Sequence, residues 1–128
     1  MLPLHLVELD PSHLEFVRTV FSRLLQDCGG TTAAKTLSAL APRVLVIWDG
    51  PIAYHYGFAQ HASGYCKFIR LMAGVARSIC QKHTGRTDRS AAEEIEKEAT
   101  PPERGTPLPL AKLLDEWNWV HITNAPSS

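Results

Sequence analysis

The chain reads as mainly α-helical, a single-domain helical bundle, and three observations predict this. Apolar residues recur at intervals of three and four in three separate stretches, the period of one helix face. Serine, threonine or aspartate stands before several helical stretches, where free backbone N–H groups need an acceptor. With 128 residues, 45% of them hydrophobic, the chain can build one ordinary core but not two comfortable domains.

Leu2 to Leu9 forms an apolar lead-in that packs against the body. Asp10, Pro11 and Ser12 then start the first helix, with Ser12 and Glu15 spaced as a capping box and Pro11 suited to a first turn. Leu14, Val17, Val20, Phe21, Leu24 and Leu25 make its buried stripe, and Gly29 stops it. Gly29 and Gly30 open the next helix, for which Thr31 and Thr32 are the expected N-caps. That helix ends near Ala41, because Pro42 disfavours the α conformation in the residue before it. Val44 to Trp48 is an apolar run too short for a typical helix, and it delivers Asp49 as the cap of a short helix ending at Gly57. A longer helix spans about Ser63 to Lys82, with Tyr65, Phe68, Ile69, Met72, Val75, Ala76 and Ile79 inward. Residues 1–83 are thus expected as the helical core. Residues 84–109, rich in Pro and Gly, read as a mobile polar linker holding a short helix near Ser90 to Glu98. Residues 110–124 supply a last helix that docks back through Leu110, Leu113, Leu114, Trp117 and Val120. The final residues, Asn124 to Ser128, should fray.

Thirteen basic and thirteen acidic residues leave no global field to draw nucleic acid or acidic membranes, so any basic surface is local. Between Asp49 and Asp88 there is no acid, whereas Lys67, Arg70, Arg77, Lys82 and Arg86 are basic. Glu93, Glu94, Glu96, Glu98 and Glu103 follow, and the two blocks can attract each other. Three widely spaced cysteines, Cys28, Cys66 and Cys80, resemble neither a disulfide framework nor paired zinc ligands and point to a reducing, intracellular compartment. The N-terminus lacks the basic region of a signal peptide, and no stretch approaches the roughly 20 apolar residues of a membrane span.

Two helices joined at a glycine turn can display backbone amides that hold a phosphate without reading bases. An ordinary helix-to-helix turn gives the same pattern. The order of glycine turn, helix, proline, apolar link and aspartate, over about residues 20–57, resembles the helix-hairpin-helix DNA glycosylase superfamily. The resemblance implies a hairpin, with Cys28 to Thr31 as the turn that holds a DNA phosphate and Asp49, in AspGlyProIle, as the acid serving base excision. The position of the strand-cleaving lysine in that family falls on Thr32, so the resemblance implies a glycosylase without lyase activity. Lys35, a helical turn further on, is expected to touch phosphate. The chain departs from the family in having Trp48 before the acid and only one helix before the hairpin.

Other groupings are weaker. His55, His61 and Cys66 match no usual zinc spacing, so no metal or other cofactor is expected. Tyr54, His55 and Tyr56 suit half-buried packing or base stacking. Lys67, Arg70 and Arg77 share a helix face that could follow a nucleic-acid backbone or simply be solvated. Cys28 adjoins a helix start but has no identifiable general base. The leading expectation is a DNA-binding module using Gly29, Gly30, Thr31, Thr32, Lys35, Lys67 and Arg70. The alternatives are a monofunctional base-excision enzyme using Asp49, completed by a missing N-terminal part or by a second copy of the chain, and a non-enzymatic protein-interaction module using the Pro-rich segment and the Trp117–Trp119 end.

Overall fold

The computed structural model describes residues 4–124, and among them every regular element is helical. The helices are α1 (Pro11–Cys28), α2 (Gly30–Leu40), α3 (Gly50–Tyr56), α4 (Ala62–Thr84), α5 (Arg89–Ala99) and α6 (Leu110–Asn118). Short 3-10 turns occupy Leu6–Glu8 and Pro102–Arg104, and a π-helical turn, Trp119–Thr123, continues α6. Asn124 is the last described residue, so the fraying expected beyond it lies outside the described residues.

The longest helix, α4, is the element on which the others pack. Tyr65, Phe68, Ile69, Met72, Ala73, Ala76 and Cys80 are buried along it, recurring at helical spacing. At its N-terminal half the ring of Tyr65 stacks on Phe21 of α1 with centroids 4.5 Å apart. Trp48 meets Tyr65 edge-on at 5.2 Å and Phe68 at 5.6 Å, completing an aromatic centre. Gly64 lets α4 begin against the preceding loop, because a Cβ there would lie 1.8 Å from the Ala59 carbonyl oxygen.

The apolar link Val44 to Trp48 runs through this centre without regular structure, so its backbone polar groups need side-chain partners. The Val46 carbonyl accepts from the Tyr65 hydroxyl at 2.8 Å, and the Ile47 N–H donates to Asp115 Oδ1 at 2.5 Å. The lead-in closes the other end of α4. Leu6, Val7 and Leu9 are buried, and Arg77 donates to the Val7 carbonyl at 3.0 Å and to the Leu9 carbonyl. Arg77 therefore leaves the basic face on which its spacing had placed it.

Several local expectations are corrected. The cap of α1 is Asp10, whose carboxylate takes the N–H groups of both Ser12 and His13 while His13 Nδ1 accepts from the Asp10 N–H. A carboxylate one residue before the proline reaches two amides that the Ser12 hydroxyl cannot. Thr31 and Thr32 are not caps. The chain turns at Gly29 alone, with φ 80°, and α2 starts at Gly30 with no side-chain cap. Trp117 and Val120 do not join the buried stripe of α6, which consists of Leu110, Ala111, Leu114 and Asn118; they are 49% and 53% exposed. Asn118 draws that face inward, accepting from the Tyr56 hydroxyl at 2.7 Å. Within residues 84–109 the expected polar helix is α5, and its Ala91, Ala92 and Glu96 are buried. Arg86 pairs with Glu94, joining the basic and acidic blocks.

Candidate functional site

The residues singled out in the sequence fall in three places. Gly29, Gly30, Thr31, Thr32 and Lys35 lie at the α1–α2 turn. The Gly29 N–H still belongs to α1, donating to Leu25 at 3.2 Å, and its carbonyl opens α2 by accepting from Ala33 at 2.9 Å. The first turn of α2 has no capping side chain, and Thr32 and Lys35 are exposed. Cys28 is exposed beside it and its thiol donates to the Leu24 carbonyl at 3.0 Å.

Asp49 stands at the start of α3 with both carboxylate oxygens engaged. Oδ1 accepts from the Ile52 N–H at 2.9 Å, a cap, and Oδ2 accepts from the Thr123 hydroxyl at 2.8 Å, a tether to the turn after α6. Such a carboxylate has its strongest acceptor positions filled from within the chain.

Lys67 and Arg70 project from α4. With Leu14, Glu15 and Arg18 of α1 and Cys66 they line a small cleft of ≈ 250 Å³. Burial pushes the Cys66 thiol up from its ordinary value. Gly29 lies eleven residues beyond Arg18, about 17 Å along α1 at the helical rise. The expected phosphate contacts are therefore divided between the C-terminal end of α1 and its N-terminal half.

A larger feature continues from Lys67 and Arg70. This is the outer face of α4 itself, with Leu71, Val75 and Ile79 along it and Lys82 and His83 at its far end. Among the described residues no carboxylate lines it. Among the described residues none pairs with Lys67, Arg70 or Lys82. Val75 and Ile79 had been expected inside; they are only half-buried, and Leu71 is 38% exposed. Gly74 sits in the middle of this face, and among the described residues no atom beyond its own helix turn lies within 4 Å of where a Cβ would be. An acid-free stretch with a glycine inside a helix was the signal available in the sequence.

Nothing in the sequence pattern marks Asp115. Burial, its largest influence, pushes this carboxyl up to about 6 against the Ile47 hydrogen bond and the nearby Lys112 ammonium, both of which pull it down. Lys112 Nζ lies 3.4 Å from Oδ2, within ion-pair range but without hydrogen-bond geometry, and donates to Ser38 Oγ at 2.6 Å. The group is tied into packing and opens on neither the cleft nor the α4 face. Among the described residues no three His, Cys, Asp or Glu side chains gather as a metal site, and no helix is long and apolar enough to cross a membrane. Comparison with protein-family models, with curated proteins and with solved structures finds no significant match to this chain.

Proposed function

We propose that this chain is a non-enzymatic protein-interaction module whose contact surface is the outer face of α4. The observation that carries this reading is a row of partly exposed apolar side chains, Leu71, Val75 and Ile79, bracketed by cations that have no partner within the described chain. Apolar strips rimmed by charge are the composition of helix-binding surfaces. The engaged state of Asp49 supports a cap and tether in preference to a base-excision role. The test is photo-crosslinking from position 78 in nuclease-treated extract of the source cells, with the adducts mapped by mass spectrometry. Adducts that converge on one segment of one protein, and that vanish when Ile79 is changed to Asp, are expected. Scattered adducts, or adducts indifferent to that change, would overturn the reading.

A second reading is favoured by the uncapped first turn of α2. Its free N–H groups and Lys35 can receive a DNA phosphate, as the helix-hairpin-helix resemblance implies. Binding to duplex DNA should then weaken steeply with salt and fall further for Lys35→Glu, because each phosphate contact releases counterions. Affinity that ignores both salt and that substitution would remove it.

A further inference from the structure

We infer that the occupant of the α4 face is an acidic amphipathic helix of a partner protein, an inference that rests on reading this face as a protein contact surface. Its shape, its charge and its glycine each point the same way. From Lys67 to Lys82 the face rises about 22 Å, four turns, so its two charged ends match acids set about 15 residues apart on a facing helix. Leu71, Val75 and Ile79 lie between them as a short apolar strip. Lys67 and Arg70 at one end and Lys82 at the other present positive charge; among the described residues no acid lines the face itself, and Glu15, in the small cleft beside Lys67 and Arg70, is within ion-pair range of Arg18.

Gly74 gives the independent observation. Glycine inside a helix weakens it relative to alanine, and chain packing can justify that only where a Cβ would clash. At Gly64 it would, against Ala59. At Gly74 there is open space, so no packing among the described residues requires the residue. A missing side chain at the centre of the exposed ridge, followed one turn later by the small Ser78, lets another helix approach closely. An occupant with apolar residues every three or four positions and acids at both ends fits this face. A second copy of the same face does not, because parallel or antiparallel pairing brings cation against cation. The strip has no exposed aromatic, and Val75 and Ile79 are half-buried, so it offers little to insert into a lipid surface.

The full chain is titrated, by fluorescence anisotropy, against a synthetic helix of about 20 residues with leucines at i, i+4 and i+7 and glutamates at both ends. A scrambled peptide of the same composition, a version with lysine in place of glutamate, and phosphatidylserine-containing vesicles serve as comparisons. The acidic helix should bind at least tenfold more tightly than either altered peptide. Gly74→Gln, and separately the pair Lys67→Glu with Lys82→Glu, should each weaken it at least tenfold while thermal unfolding stays cooperative. Equal binding of the scrambled peptide, indifference to the face substitutions, no binding of the acidic helix, preference for vesicles, or self-association abolished by Gly74→Gln would each overturn the inference. Should the position-78 crosslinks still converge on a segment lacking acids, the occupant is wrong and the contact surface stands; should they also fail, both fall.

Discussion

At the scale of single residues, Asp115 shows how packing can set a carboxyl against its own ionisation. Its folded value of about 6 lies above the 3.8 of an unhindered aspartate. The folded state therefore holds a proton that the unfolded chain releases, and the stability associated with it is present at low pH and lost as pH rises from about 4 through about 6. The shift corresponds to roughly 2–3 kcal/mol. Asp115→Asn keeps an oxygen to accept from Ile47 and carries no charge. Urea unfolding of the two proteins should show the wild type losing stability relative to Asp115→Asn between pH 4 and pH 7; parallel profiles would show that Asp115 ionises freely. Asp49 makes the complementary case, a carboxylate with both oxygens occupied. Asp49→Ala should lower stability by about 1–2 kcal/mol, the cap and one further hydrogen bond, while Asp49→Asn should lose less. Thr123→Val should reproduce only the second part. If Asp49→Ala left the melting temperature unchanged, the cap and tether would contribute nothing, and the carboxylate would need another explanation.

At the scale of elements, α4 carries both the core and the proposed surface, and its two interior glycines separate these duties. Gly74→Ala should stabilise the protein by about 1 kcal/mol, the helix propensity difference at an open position. Gly64→Ala should destabilise it, because the new methyl meets the Ala59 carbonyl and the whole first turn must shift. Thermal melts of the two variants moving in opposite directions would check this. The helices themselves were readable in the sequence because period and caps are local: Tyr65, Phe68, Ile69, Met72 and Ala76 follow from helical spacing, and the cap at Asp49 from an acceptor placed just before a helix. What was not readable depends on partners distant in the chain. Arg77 spaces like a surface cation but is captured by the Val7 and Leu9 carbonyls. Trp117 and Val120 space like core residues, but Asn118 rotates the α6 stripe toward Tyr56 and Met72. The candidate face was half readable. Its cations and its glycine are in plain sight, whereas the exposure of Val75 and Ile79 depends on no other described helix covering that side.

For the whole molecule, one buried tie joins segments far apart in the sequence. His5, two residues into the described chain, is 2% exposed, and its Nδ1 accepts from the Val7 N–H at 3.1 Å. That leaves the Nε2–H to donate to Glu96 Oε2 of α5 at 2.6 Å, and the same oxygen accepts from the Leu110 N–H of α6, also at 2.6 Å. One buried carboxylate thus knits the lead-in, α5 and α6 together, and Arg89 adds a more exposed pair to Glu8 at the rim of the same junction. Removing a partner from such a site leaves a polar group without water or acceptor, which is more damaging than removing both. Glu96→Ala should therefore destabilise by about 3 kcal/mol, since it orphans both His5 and the Leu110 amide. His5→Ala should be milder, because Glu96 keeps the Leu110 bond. The double substitution should be less severe than the sum of the two by about 1–2 kcal/mol, the coupling expected for side chains in direct contact. The measurement is a denaturant-unfolding cycle of the four proteins, made in a Trp117→Phe, Trp119→Phe background so that fluorescence reports the buried Trp48, alongside far-ultraviolet circular dichroism. Agreement of the two probes would show that residues 84–109 unfold together with the core, as a junction through Glu96 requires. If α5 were instead lost before Trp48 was exposed, or if the two substitutions were simply additive, the His5–Glu96 contact would not be what closes this fold.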